Sequence, residues 1–147
     1  MAIKYLRCLD GKEPEMGIWT VGATAVKAGD PCKKGASAHL LIPITAAADV
    51  VVGMAMHDAA IGASVSIIYA TESTVFQIPC SAAKKYVASA DKYTQCDFDT
   101  FTSGAMSIDP ATDTAHSVFT LDLASGSPDN TNANQCQCIF NLRLLGK

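Results

Sequence analysis

Residues 50–69 read VVVGMAMHDAAIGASVSIIY, apolar for almost their whole length with one His-Asp pair inside. Three structures compete for such a run: a membrane span, a buried helix, or two strands around a short connection. A span would place His57-Asp58 near mid-bilayer, where ionisable groups are costly. A helix would carry Gly53 and Gly62 in its interior, at about 1 kcal/mol each relative to alanine. Val50, Val51 and Val52 are β-branched in a row, and Val65, Ile67 and Tyr69 alternate on one face. The stretch therefore predicts two strands joined through His57–Gly62.

Working outward, the same pattern continues. GIWTVGATAVKAGD alternates loosely and closes on Gly29-Asp30-Pro31, a turn signal. HLLIPIT is a short apolar run whose Pro43 points to an edge strand or a bulge. TVFQIPC sets Val75, Gln77 and Pro79 against Phe76, Ile78 and Cys80, and QCDFDTFTSGAMSID and HSVFTLDLA follow. In CQCIFNLRLL, Cys136, Cys138, Phe140, Leu142 and Leu144 share one face, the cleanest alternation in the chain. Strand centres recur about every ten residues, which is the spacing of a sandwich or barrel. The expected fold is all-β: a small β-barrel or β-sandwich of short antiparallel strands. SAAKKYVASADKY, from Ser81, is the one short helix candidate, with Ser81 as its cap. SGSPDNTNANQ reads as an exposed loop. Residues 1–15 are too polar to bury alone and read as an N-terminal arm, with a single β domain over 16–147.

Composition narrows the function. The chain has 147 residues, 49% apolar but only 7% aromatic, and a net charge of −3. Its basic residues are scattered apart from Lys33-Lys34 and Lys84-Lys85, so the stripe that a phosphate binder needs is absent. Neither a nucleic acid nor a membrane is expected as a partner. MAIKYLRCLDGKEPEM lacks the apolar core of a secretory signal, which points to synthesis and folding in a cytosol. In that compartment the six cysteines read as buried thiols. Cys136 and Cys138 lie on one strand face about 7 Å apart, too far for an easy mutual disulfide.

Catalytic patterns are weak. His39, His57 and His116 lie outside chelate spacing of one another, and no Gly-x-Ser-x-Gly elbow, phosphate loop or dinucleotide fingerprint occurs. Neighbours on a strand point apart, so His57-Asp58 reads as turn chemistry, with Asp58 bonding nearby backbone. The aspartates at 91, 97, 99, 109, 113 and 122 read as a solvated face, since no calcium loop surrounds them. An enzyme is not expected, nor a cofactor. The lone Trp19 is either a core anchor or an interface anchor.

AVKAGDPCKKG followed by ADVVVGMAMHDAAIGASVSIIYATESTVFQIPC resembles the small β-barrel head-decoration proteins of tailed bacteriophages. The residues that carry the resemblance are Gly29-Asp30, Val51-Val52-Gly53, Ala55, Asp58-Ala59-Ala60, Gly62, Val65, Val75-Phe76 and Ile78-Pro79. Thr74 stands where that family usually has an exposed glycine. The resemblance implies a virion structural protein, assembled in the host cytoplasm, that sits on the outer capsid surface and stabilises the expanded shell. Its partners would be the major capsid protein and further copies of itself, as a trimer. The arm residues Met1, Ile3, Tyr5 and Leu6, together with Trp19, are then the candidate capsid or subunit contacts. Two other readings stay open: a self-assembling fibre or tube subunit, and a carbohydrate- or surface-binding β-domain.

Overall fold

The computed structural model describes residues 2–37, 39–81, 93–115, 117–123 and 135–140. Among them the structure is all β. Eleven strands are present: β1 (Lys4–Cys8), β2 (Met16–Val21), β3 (Pro31–Lys34), β4 (Leu40–Pro43), β5 (Gly53–Ala55), β6 (Ser64–Tyr69), β7 (Thr74–Pro79), β8 (Gln95–Thr100), β9 (Ser107–Asp109), β10 (Val118–Leu123) and β11 (Gln135–Phe140). The helix candidate at 82–92, His116 and the loop at 125–134 lie outside the described residues, as do Met1 and residues 141–147.

Residues 50–69 do form two strands, although the first is Gly53–Ala55 and the valine run at 50–52 precedes it. β5 and β6 pair antiparallel, Gly53 with Tyr69, Met54 with Ile68 and Ala55 with Ile67. They belong to a closed five-stranded barrel, β2-β4-β3-β5-β6. Its interior is Val21, Val26, Cys32, Leu41, Ala55, Val65 and Ile67, all buried and mostly small or β-branched, which suits a narrow bore. Gly17 is needed here: a Cβ on it would overlap the Tyr69 ring, whose hydroxyl accepts a hydrogen bond from Trp19 Nε1 at 3.0 Å.

The second unit is a six-stranded sheet in the order β1-β7-β11-β10-β8-β9. On β11, Cys136, Cys138 and Phe140 point into the core as their alternation predicts. Phe140 packs between Phe76 (ring centroids 4.9 Å apart) and Phe98 (6.2 Å). Ile44, Val51, Met54 and Ile68 from the barrel side join this cluster, so the outer surface of the barrel is one wall of the sheet's core.

Three expectations are corrected. Lys4–Cys8 is no free arm: it is a strand paired with β7, and Ile3 is core. The polar arm contributes backbone hydrogen bonds to a strand that needs a neighbour, and only Ile3 and Tyr5 have to be apolar for that. The strands are not all antiparallel, because β2 and β4 run parallel at Thr20–Leu40 and Val21–Leu41 to close the barrel. β4 is no edge strand, having β2 on one side and β3 on the other. Pro43 is tolerated because pairing with β2 has already ended at Leu41, so its missing N–H faces no partner strand.

Candidate functional site

Two of the six aspartates expected on a solvated face, Asp97 and Asp109, are buried instead, while Asp99 and Asp113 are exposed as expected. Asp97 and Asp109 are only 4% and 6% exposed. Asp97 accepts the N–H groups of Thr114 and Ala115, and Asp109 accepts from the Ala111 N–H and the Thr112 hydroxyl. A buried carboxylate is tolerated where backbone donors surround it. Asp99 does remain exposed, since a bulge between Phe98 and Thr100 shifts the β8–β9 register.

Asp30 is the tightest of these nodes. It is fully buried and follows Gly29, whose φ of +86° turns the chain into β3. Its carboxylate accepts the Lys27 N–H at 2.9 Å within the turn. Across the molecule it accepts the Ser103 hydroxyl and the Gly104 N–H at 2.6 Å. The Gly-Asp pair thus fastens the barrel to the loop between β8 and β9. Ser117 makes a second link, donating to the Ala47 carbonyl at 2.7 Å while accepting from the Phe98 N–H.

The side chains of His57 and Asp58 each bond backbone groups. The Ser66 N–H donates to His57 Nε2 at 3.2 Å, so the ring proton sits on Nδ1 and points at the Asp58 carbonyl, 3.1 Å away. The Asp58 carboxylate accepts the Ala28 N–H at 2.8 Å. It is structural as the sequence suggested, although its partner is thirty residues distant rather than local. His39, with φ of +75°, presents its carbonyl to Thr20 N–H.

All six cysteines are thiols rather than disulfides. Burial, with Asp30 nearby, pushes the Cys32 thiol up to about 12. Burial also raises Cys138. Cys136 and Cys138 share a face as expected, but their rotamers converge and the sulfurs approach to 3.2 Å. Among the described residues no group of three or more His, Cys, Asp or Glu side chains is placed to hold a metal ion. An open groove of about 530 Å³ is lined by Asp10, Lys12, Glu13, Glu15 and Glu72 among others.

The candidate contact residues divide. Met1 lies outside the described residues. Ile3 is 3% exposed and packs in the chain's own core. Tyr5 stands edge-on to Phe76 and bonds Cys8 through its hydroxyl. Leu6 is the extra residue of a β-bulge between Tyr5 and Arg7 and is half-buried. Trp19 is half-buried against the barrel core. None of the four described residues is a fully exposed anchor.

The exposed large apolar side chains among the described residues are instead Leu9, Met16, Ile18, Met56, Ile61 and Tyr93. Three of them share one surface. Registers Met16–Ile68, Ile18–Ser66 and Thr20–Ser64 put these side chains on the outside of the barrel, opposite Trp19, Val65 and Ile67. Met56 follows inward-facing Ala55, bonds its N–H to the Ser66 carbonyl, and so joins the same wall. Ile18 is 76% exposed, Met16 53% and Met56 42%. Alternation along GIWTV makes Ile18 and Trp19 face opposite ways, a signal that was present in the sequence; which of the two faces water was not. No protein-family model matches this chain, and no curated protein matches it.

Proposed function

We propose that this chain is a virion structural protein that decorates the outside of a tailed-phage capsid and stabilises the expanded shell. The reading rests on the resemblance of residues 21–80, and one observation of the fold supports it. Several of the motif residues that carry the resemblance build the barrel, and the others belong to the sheet packed against it. Gly29-Asp30 makes the turn that fastens the barrel to the β8–β9 loop. Gly53 and Ala55 are β5, Val65 lies in the bore, and Asp58 ties the β5–β6 connection to Ala28. Val75-Phe76 and Ile78-Pro79 are β7, next to β1 and β11. Such a motif preserves a rigid β framework, which is what a contact protein needs. It aligns no nucleophile, base or oxyanion site.

A fibre built by strand addition finds less support. β1 is an edge of the six-stranded sheet and carries a bulge at Leu6 with Lys4 and Arg7 exposed, features that blunt an edge. The test mixes the purified chain with expanded empty shells of tailed phages and measures bound protein per shell. Saturable binding with a raised shell melting temperature is the expected result. Absence of binding to every expanded shell tried, with filaments forming from the chain alone, would replace this reading with the fibre.

A further inference from the structure

We propose that Cys136 and Cys138 are a redox-active thiol pair in the core of the six-stranded sheet, closed to a disulfide by a peroxide and reopened by small thiols. The proposal does not depend on the capsid reading. Four of the chain's six cysteines, Cys80, Cys96, Cys136 and Cys138, lie in or against this core. Of these, Cys136 and Cys138 bring their sulfurs to 3.2 Å, closer than even carbon atoms pack, at about 3.5–4.0 Å. Same-face neighbours on a strand have Cα atoms about 6.8 Å apart, the upper limit of what a disulfide spans. Twist shortens that distance, and twist rises where a bulge interrupts the ladder. Such a bulge lies directly opposite: β10 carries its extra residue between Thr120, the partner of Cys138, and Asp122, the partner of Gln137. A bridge at the limit of its span is strained, and strained disulfides are the ones that thiols reduce readily.

Burial selects the oxidant. Both thiols are shut away from solvent, so the reagent must be small, and hydrogen peroxide meets that limit. Burial raises the Cys138 thiol, while the Cys136 S–H beside its sulfur works the other way and favours the Cys138 thiolate. Cys138 is therefore the attacking sulfur and Cys136 the resolving one. The Cys138 thiolate takes one peroxide oxygen and becomes a sulfenic acid; the departing hydroxide picks up the proton that Cys138 released and leaves as water. The Cys136 sulfur then attacks the sulfenic sulfur, the S–S bond forms, and a second water departs. Two thiols lose two electrons and two hydrogens, and one peroxide becomes two waters. In a reducing compartment the pair stays open, and in an oxidising one it closes.

The experiment treats the reduced full-length chain with hydrogen peroxide in native buffer, denatures it in acid, alkylates the remaining thiols and counts them by mass. The count should fall from six to four, and return to six when reduced glutathione is added before the acid. The peptide 124–140 holds Cys136 and Cys138 and no other cysteine, so from the oxidised chain it should carry no alkyl group and weigh two hydrogens less than its thiol form. Cys80→Ala and Cys96→Ala should still lose two thiols, whereas Cys136→Ala and Cys138→Ala should form no disulfide. The wild-type peptide decides the matter even where a variant fails to fold. A chain that keeps all six thiols, or that closes this bridge only in urea, overturns the proposal, because the fold then does not bring the sulfurs together. So does a bridge that takes in Cys80 or Cys96, a peptide that gains oxygen instead of losing hydrogen, or a bridge that reduced glutathione leaves closed.

Discussion

Replacing Asp30 with alanine removes the acceptor for three donors at once. Two are backbone N–H groups, Lys27 and Gly104, and the third is the Ser103 hydroxyl. The hydroxyl can turn toward another acceptor; the two N–H groups cannot. A buried donor left without a partner costs about 1–3 kcal/mol. Two of them give about 4 kcal/mol, against a total stability of roughly 5–15 kcal/mol for a domain. At this chain length that loss lowers the melting temperature by about 10 °C. Asp30→Asn keeps one acceptor oxygen for Gly104 but turns an N–H₂ toward the Lys27 N–H, so it should cost about half as much. Urea unfolding of wild type, Asp30→Asn and Asp30→Ala measures both, with an unchanged slope showing that only stability moved. Because the Ser103 bond crosses between the two β units, Asp30→Ala and Ser103→Ala should be non-additive in a double-mutant cycle. A loss under about 1 kcal/mol for Asp30→Ala would refute the reasoning, since it would mean that water replaces the carboxylate freely at a fully buried position.

Two further outcomes follow from single contacts. Lys33 donates to Asp49 at 2.7 Å, in a pair whose side chains are 23% and 20% exposed. Burial pushes the Asp49 carboxyl up, but the Lys33 ammonium and the Thr45 and Ala46 N–H groups outweigh it and hold it below the ordinary 3.8. Its contribution is therefore complete above about pH 4 and is lost as pH falls through the lowered value. Lys33→Met should cost about 1 kcal/mol at neutral pH and shrink the difference between urea midpoints at pH 6 and pH 3; an unchanged difference would place the acid sensitivity elsewhere. Gly17→Ala forces a Cβ into the Tyr69 ring and should cost about 1–3 kcal/mol as overpacking. It also separates Tyr69 from Trp19, the only tryptophan, so native emission should shift to the red. Unshifted emission would mean that the ring has another position to move to.

Much of the fold was legible because strand character is local. Val65, Ile67 and Tyr69 alternate within one segment, and β6 forms there. Cys136, Cys138 and Phe140 share a face, and that face is core. Asp97 and Asp109 were misread for the opposite reason. Nothing near Asp97 or Asp109 in composition separates a solvated carboxylate from one that accepts a turn's N–H groups, and Asp30 finds two of its donors more than seventy residues away. Trp19 drew attention as a contact residue by type, yet Gly17 opens room for the Tyr69 ring that holds it, and its neighbour Ile18 takes the exposed position.

By itself the sequence determined that this chain makes short strands, where they turn, and which side chains share a face, since a period of two is imposed by the backbone of each segment. Tertiary structure alone decided that β1 joins β7, that β2 runs parallel to β4, and that Ile18 rather than Trp19 looks outward. A strand has two faces of equal standing until another strand covers one of them. The strands that do so here lie tens of residues away, where no local pattern reaches.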